Sequence, residues 1–336
     1  MRHIDYNAYK AIFEEYGIQS IDKIALAWQE SHRYYHDEEH LAFLLHKIEE
    51  LHQTQKINEE NHKVLVLAAF FHDIVYDPTR QDNEEKSAEI FIQLSASHSN
   101  TALIQEIILD TKKHQGSTEL SKQFSALDMA VVTESSFPEL LDWEHKIFKE
   151  YQFIDYSLYR EGRMALVQQF MKEYPQNAVN LGFLIEYIRH RRPTIGVYPG
   201  SFYPFHNGHL NILEKAEKVF DKVIIARGIN PDKDDINKNT IQSQTLKHRQ
   251  VENFQGFLTK YLTSKEKYAD ITLVRGLRNG DDLDYEVNQL RFMEDMKDNL
   301  KVVFLPCDKE YEHISSSSIK NLDKVDSDFS KRYIPE

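Results

Sequence analysis

The chain contains one cysteine, Cys307, among 336 residues. An intramolecular disulfide is thereby excluded, and a lone thiol fits a reducing compartment. Long hydrophobic runs are missing too. No stretch reaches the ~18 apolar residues that a membrane span needs, and the N-terminus MRHIDYNAYK has no apolar signal core. The expected location is the cytoplasm, with no membrane partner. Positive charge is also in deficit: 41 Lys and Arg against 54 Asp and Glu give a formal net charge of −13. Nucleic acid is therefore not expected as a partner, because its phosphate backbone rewards a basic face.

Glycine is scarce in one part of the chain only. The first 190 residues hold just Gly17, Gly116, Gly162 and Gly182, and their apolar residues recur at helical spacing in several long runs. An all-α domain is predicted there. The chain exceeds one ordinary domain, and each of its two parts is long enough to bury its own core. A basic run ending in proline, Arg189-His190-Arg191-Arg192-Pro193, marks the junction. It predicts domains at 1–190 and 194–336, although such a cluster also suits the negative end of a helix.

Three segments of the C-terminal part carry a chemistry. In IGVYPGSFYPFHNGH (195–209), a short apolar strand, Ile195 to Tyr198, breaks at Pro199-Gly200, where the backbone can turn sharply beside a ligand. Asn207-Gly208-His209 then opens LNILEKAEKVF, whose apolar spacing is that of an amphipathic helix. His206 and His209 therefore sit at a helix N-terminus, where N–H groups favour phosphate. In VRGLRNGDDLDYE (274–286), Arg275 and Arg278 flank Gly276 at the end of the strand Ile271 to Val274, a placement suited to bidentate phosphate binding. In ISSSSIK (314–320), the serines Ser315 to Ser318 open a last helix and can hold phosphate oxygens, or one of them can simply cap it. Three such elements at strand-to-helix junctions predict one anion site at the carboxyl edge of a parallel sheet.

Residues 194–336, through to the tail Tyr333-Ile334-Pro335, resemble the phosphopantetheine adenylyltransferases of the H/T-x-G-H nucleotidyltransferase superfamily. The resemblance implies a Rossmann-like fold and transfer of AMP from ATP, with Mg²⁺, to 4′-phosphopantetheine, giving dephospho-CoA and pyrophosphate. It also implies a homo-oligomer. By it, His209 stabilises charge on the pentavalent phosphate, helped by Lys233 (in NPDK) and Arg278. Ser201 and Phe202 lie beside ATP and the acceptor phosphate, which Lys233 and Arg275 hold. His206, Gly276, Leu277, Arg278, Glu286, Tyr311, Ile314, Ser315, Ser316 and Ser317 line the ATP pocket, and Leu258 meets the pantetheine arm. Such a transfer needs no covalent intermediate, since an acceptor phosphate oxygen is already nucleophilic and catalysis can rest on position and cations. The chain departs from the family at His206, Tyr203 and Tyr311, and in a shorter, more polar stretch between Lys233 and Phe254. These departures keep a second acceptor open, another phosphorylated small molecule such as nicotinamide mononucleotide.

The N-terminal part holds twelve of the 16 histidines. His72-Asp73 ends the apolar run VLVLAAFFHDIVY, where an imidazole and a carboxylate are costly to bury unless a cation joins them. Tyr35-His36 and His40 predict two histidines on one helical face, and Asp128 follows Ser125-Ala126-Leu127. Together they suit a divalent transition metal that activates water. The order H…HD…D resembles the HD superfamily of metal-dependent phosphohydrolases, and YHDEEHL, AAFFHDIVYD, DNEEKSAEI, TKKH and FKEY resemble one family of small HD proteins. The resemblance implies His40, His72, Asp73 and Asp128 as metal ligands, with His36, Glu85 and His114 in supporting roles. That family shows Asp-x-Asp where this chain has Ala126-Leu127-Asp128, which implies a mononuclear site. A hydrolytically silent sensing or oligomerisation module is the alternative.

Overall fold

The structure, a computed structural model, describes residues 4–229 and 243–335. Its contacts divide into two compact units, Met1–Tyr151 with Ala165–Glu186, and Gln152–Met164 with Tyr187–Glu336. The first is helical, and the second carries a parallel sheet, the two fold classes expected. No described helix is long and apolar enough to cross a membrane.

In the first unit the organising element is the helix Glu59–Phe71, started by Asn58, whose side chain accepts the Asn61 N–H at 2.8 Å. Every residue from Val64 to Phe71 is buried. A helix apolar on all sides must be surrounded. Trp28 donates its Nε1–H to the Phe70 carbonyl at 3.1 Å, and the rings of Tyr6, Tyr9 and Phe13 pack on Phe70 with centroids 5.8, 5.2 and 4.9 Å away. Beside it runs Glu38–Gln53, which begins at Asp37 because that carboxylate accepts the N–H groups of Glu39 and His40. One expectation is corrected here. His36 precedes the cap, so it does not share a helical face with His40, although the rings still come within 6.1 Å.

The second unit holds β1 (Thr194–Gly200), β2 (Lys222–Gly228), β3 (Gln250–Phe254), β4 (Asp270–Leu277) and β5 (Val302–Pro306). Their order is β3-β2-β1-β4-β5, and all neighbours are parallel. Ile195 to Pro199 of β1 are continuously buried, as strands covered on both faces are. Between β1 and β4 the chain order reverses, and at such a point a crevice opens beyond the carboxyl ends of the strands. Ser315 caps the helix Ser316–Asp323. That helix is not the last, because Asp326 accepts the N–H groups of Asp328 and Phe329 and starts a further turn, Ser327–Ser330.

Phe70 has no exposed surface, so Phe70→Ala leaves a cavity that its aromatic neighbours cannot fill. The expected loss is about 3–5 kcal/mol of unfolding free energy, read as a lower urea midpoint by tryptophan fluorescence.

Candidate functional site

A cleft of about 290 Å³ opens at the β1–β4 reversal. It brings together Phe202, His206, His209, Arg275, Gly276, Leu277, Arg278, Glu286, Tyr311, Ile314, Ser315 and Ser316 of the expected residues. Ser201 and Ser317 are exposed neighbours of lining residues, and Leu258 begins the helix Leu258–Lys265 outside the lining. Lys233 lies outside the described residues. The backbone is shaped for close approach. A Cβ on Gly276 would stand 2.8 Å from Ile212, so only glycine lets the helix Asn207–Glu217 sit against the end of β4. Phe202 adopts φ of 49°, an uncommon conformation for a residue with a side chain.

His206 and His209 form a reciprocal cap. His206 Nδ1 accepts the His209 N–H, and His209 Nδ1 accepts the His206 N–H, each at 3.3 Å. The rings stack with centroids 3.5 Å apart. An Nδ1 that accepts has no proton, so each neutral ring carries its hydrogen on Nε2 as a donor. Burial, then the Arg278 charge, lowers His206 to about 4. Burial, His206 and Arg278 hold His209 well below the ordinary imidazole value.

Both arginines are restrained by acids. Arg275 Nε lies 3.0 Å from Glu286, and the Arg278 fork donates from Nε and Nη2 to the two oxygens of Asp282, both at 2.9 Å. Asp282 also accepts the Arg278 N–H and lines the cleft. Sequence reasoning missed Asp282, although Arg-x-x-x-Asp at a helix start is a pairing signal. The cleft thus offers an anion two imidazole N–H donors, two guanidiniums and the serine-capped helix N-terminus at Ser315.

In the first unit the predicted ligands converge. His40 Nε2 lies 3.3 Å from His72 Nε2 and 3.1 Å from Asp128 Oδ1, and His72 Nε2 lies 3.2 Å from Asp73 and 3.8 Å from Asp128. His40, His72 and Asp128 form the mutual trio, with Asp73 abutting it through His72. His72 Nδ1 must donate to the Ala69 carbonyl at 3.0 Å, so its Nε2 presents a lone pair to these neighbours. Donors held at about 2.0–2.2 Å around one ion stand roughly 3–3.5 Å from one another. Two imidazoles with carboxylates at this spacing fit a divalent transition metal. A proton competes for the same lone pair: burial lowers His72, but Asp73 and Asp128 outweigh it and raise the ring to about 9. Burial raises Asp128, yet the His40 hydrogen bond and the His72 charge bring it to about 2.

The expected supporting residues divide, with His36 near His40 and Glu85 turned elsewhere. His114 faces Asp128 Oδ2 at 3.4 Å. Glu85 is instead engaged by Lys112 at 2.6 Å, since its helix turns it toward that ammonium. The acid that organises this region is Glu150, to which sequence reasoning gave no role. Its Oε1 accepts the N–H groups of Tyr34, Tyr35 and His36 at 2.7–3.0 Å, and its Oε2 accepts from Tyr76 at 2.6 Å and pairs with His36 Nδ1 at 2.8 Å. The available signal was a glutamate following the buried Ile147 and Phe148 on a helix. Arg33, also buried, donates to the carbonyls of His36, Asp73 and Ile74 at 3.1, 2.8 and 3.2 Å and so ties the two ligand-bearing segments together.

The sheet order, the crevice at its reversal and the histidine-capped helix define a nucleotidyltransferase class. Residues 197–322 match the cytidylyltransferase-like family. Within that class the chain belongs, through its C-terminal part, to the phosphopantetheine adenylyltransferase family. It is 35% identical over 135 residues to the phosphopantetheine adenylyltransferase of Clostridium novyi, covering 38% of this chain and 82% of the relative. The Clostridium botulinum (strain Hall) enzyme is 38% identical over 133 residues, or 38% and 79% of the two chains. That of Syntrophomonas wolfei is 37% identical over 133 residues, or 38% and 81%.

Three outcomes are expected. Because folding depresses the His206 pKa, stability present above the unfolded value of about 6.5 is lost as pH falls toward about 4. Imidazole ¹⁵N spectra at pH 5.5 should show His206 and His209 neutral and protonated on Nε2; a protonated pair would contradict the reciprocal cap. Asp128→Asn should bind one fewer divalent metal ion per chain than the parent, measured by elemental analysis after dialysis.

Proposed function

We propose that the C-terminal unit transfers the adenylyl group of ATP to 4′-phosphopantetheine, forming dephospho-CoA and releasing pyrophosphate. The observation that carries this reading is the reciprocally capped histidine pair beside two arginines in the crevice of a member of this family. An acceptor phosphate oxygen attacks the α-phosphorus of ATP, a new P–O bond forms, and the bond to the β-phosphate oxygen breaks. His209 and His206 donate hydrogen bonds to oxygens whose charge grows, without having to gain or lose a proton. Arg275 and Arg278 exchange Glu286 and Asp282 for phosphate oxygens as substrates bind, and Lys233 adds a further cation. Mg²⁺ bound with ATP would supply further neutralisation of its phosphates. Homo-oligomerisation is part of the same proposal.

For the first unit we propose a metal-dependent phosphohydrolase of the HD type. His40, His72, Asp73 and Asp128 would hold the metal, which supplies Lewis acidity and a water of lowered pKa. Glu150 takes the His36 Nδ1–H and orients that ring, so that Nε2 is the nitrogen able to exchange a proton. The Glu150 charge raises the His36 pKa against the lowering effect of burial.

Pyrophosphate release from ATP and Mg²⁺ should require 4′-phosphopantetheine and fall about 10²–10³-fold in His209→Ala. Release with nicotinamide mononucleotide instead would keep the reaction and replace the acceptor. Phosphate release from phosphomonoesters by the metal-loaded chain should disappear in Asp73→Ala while the ATP reaction continues.

A further inference from the structure

The first unit contains a second set of imidazoles and acids, outside the cluster described above. Glu49 and His52 lie in the last turns of the helix Glu38–Gln53, and Glu59 and His62 lie in the first turns of the helix Glu59–Phe71. Each pair reads Glu-x-x-His, a spacing of three that puts both side chains on one helical face. The connection at 54–58 reverses the chain, and the two pairs meet crosswise. Glu49 Oε1 is 2.9 Å from His62 Nε2, and Glu59 Oε2 is 3.2 Å from His52 Nε2. The two rings stack with centroids 4.3 Å apart. Donor atoms of Glu49, His52 and His62 all lie within 4.8 Å of one another.

His62 also carries an unmet nitrogen, the one that does not face Glu49. His62 is only 7% exposed, and its Nδ1 is buried with no hydrogen-bond partner among the described residues. Hairpins clamped by surface ion pairs set lysine or arginine against acids, yet here both acids face imidazoles. We propose that Glu49, His52, Glu59 and His62 bind one divalent transition cation of the Zn²⁺ type. Carboxylates and neutral imidazoles suit such an ion, and Zn–N and Zn–O bonds of about 2.0–2.2 Å set adjacent donors roughly 3.3 Å apart; the two Glu–His contacts are already in that range, and binding turns the stacked rings so that both lone pairs meet at one point. Glu49, His52 and His62 form the mutual group and Glu59 joins it through His52; all four belong to one hairpin, so the role is structural. The ion clips the closed end of the hairpin. His40, twelve residues before His52 on the same helix, stands about 18 Å away along its axis, so the two metal sites are separate. The clip fixes the spacing of the two helices that lead to His40 and His72.

The test uses the full chain, stripped with a chelator and titrated with Zn²⁺ in the Asp128→Asn background, which disables the first cluster. That protein should bind one equivalent with micromolar or tighter affinity, and its thermal midpoint should rise. His52→Ala and Glu49→Gln, both at partly exposed positions, should each weaken binding at least ten-fold and abolish the rise, with unchanged circular dichroism. Zn²⁺ affinity and thermal shift that persist in both variants would overturn the proposal. So would the absence of binding below millimolar Zn²⁺ in the background protein.

Discussion

Which nitrogen of a buried imidazole the backbone occupies decides the charge of the ion that the other nitrogen can meet. At His206 and His209 the backbone presents N–H groups to Nδ1, so the proton must sit on Nε2 and each ring is a donor toward the cleft. At His72 the backbone presents a carbonyl to Nδ1, so that nitrogen keeps its proton and Nε2 is the one left for a cation, whether a metal or a second proton. One residue type thus sets up donors suited to an anion in one unit and a nitrogen suited to a cation in the other. Both settings come from helix ends, the unpaired N–H groups of a first turn and the unpaired carbonyls of a last one.

Acidic residues then decide what each site does before its ligand arrives. Asp282 and Glu286 hold the guanidiniums of Arg278 and Arg275 at the mouth of the cleft. A guanidinium paired in this way keeps its position and gives up one set of oxygens for another when phosphate binds. Glu150 performs a different task, since it saturates three consecutive backbone N–H groups as well as Tyr76 and His36. A carboxylate with that many donors is held at about 2, because the His36 charge and these hydrogen bonds outweigh the burial that would raise it. Removing it would leave several buried donors without partners, so its contribution is to fix the segment that precedes His40.

Much of this was legible in sequence because the informative positions are punctuated locally. Pro199-Gly200, Asn207-Gly208 and Gly276 mark where strands end and helices begin, and those junctions lie together in the crevice. The pair His72-Asp73 at the end of an apolar run marked the histidine–aspartate cluster in the same way. What escaped depends on partners distant in the chain. Glu150 acts on residues more than a hundred positions earlier, and no periodicity within its own helix reveals them. His36 was placed on the wrong side of a helix start because Asp37 captures the first N–H groups, a competition that spacing alone does not decide. Glu85 fits the helical pattern of a supporting residue, but Lys112 takes its carboxylate.

The net charge of −13 places a condition on how the cleft would recognise the polyanion proposed for it. Over long range the chain repels ATP, and at physiological ionic strength that repulsion fades beyond about 8 Å. Recognition must therefore be short-ranged, and the lining meets this need with oriented N–H groups, a helix N-terminus and arginines already neutralised by acids. Such a site has little field to attract a free anion. It has many directed donors for one that fits, so discrimination rests on geometry more than on charge. Partial neutralisation of ATP by Mg²⁺ lowers the long-range barrier without touching those contacts, which makes the metal as useful for entry into an acidic protein as for the chemistry that follows.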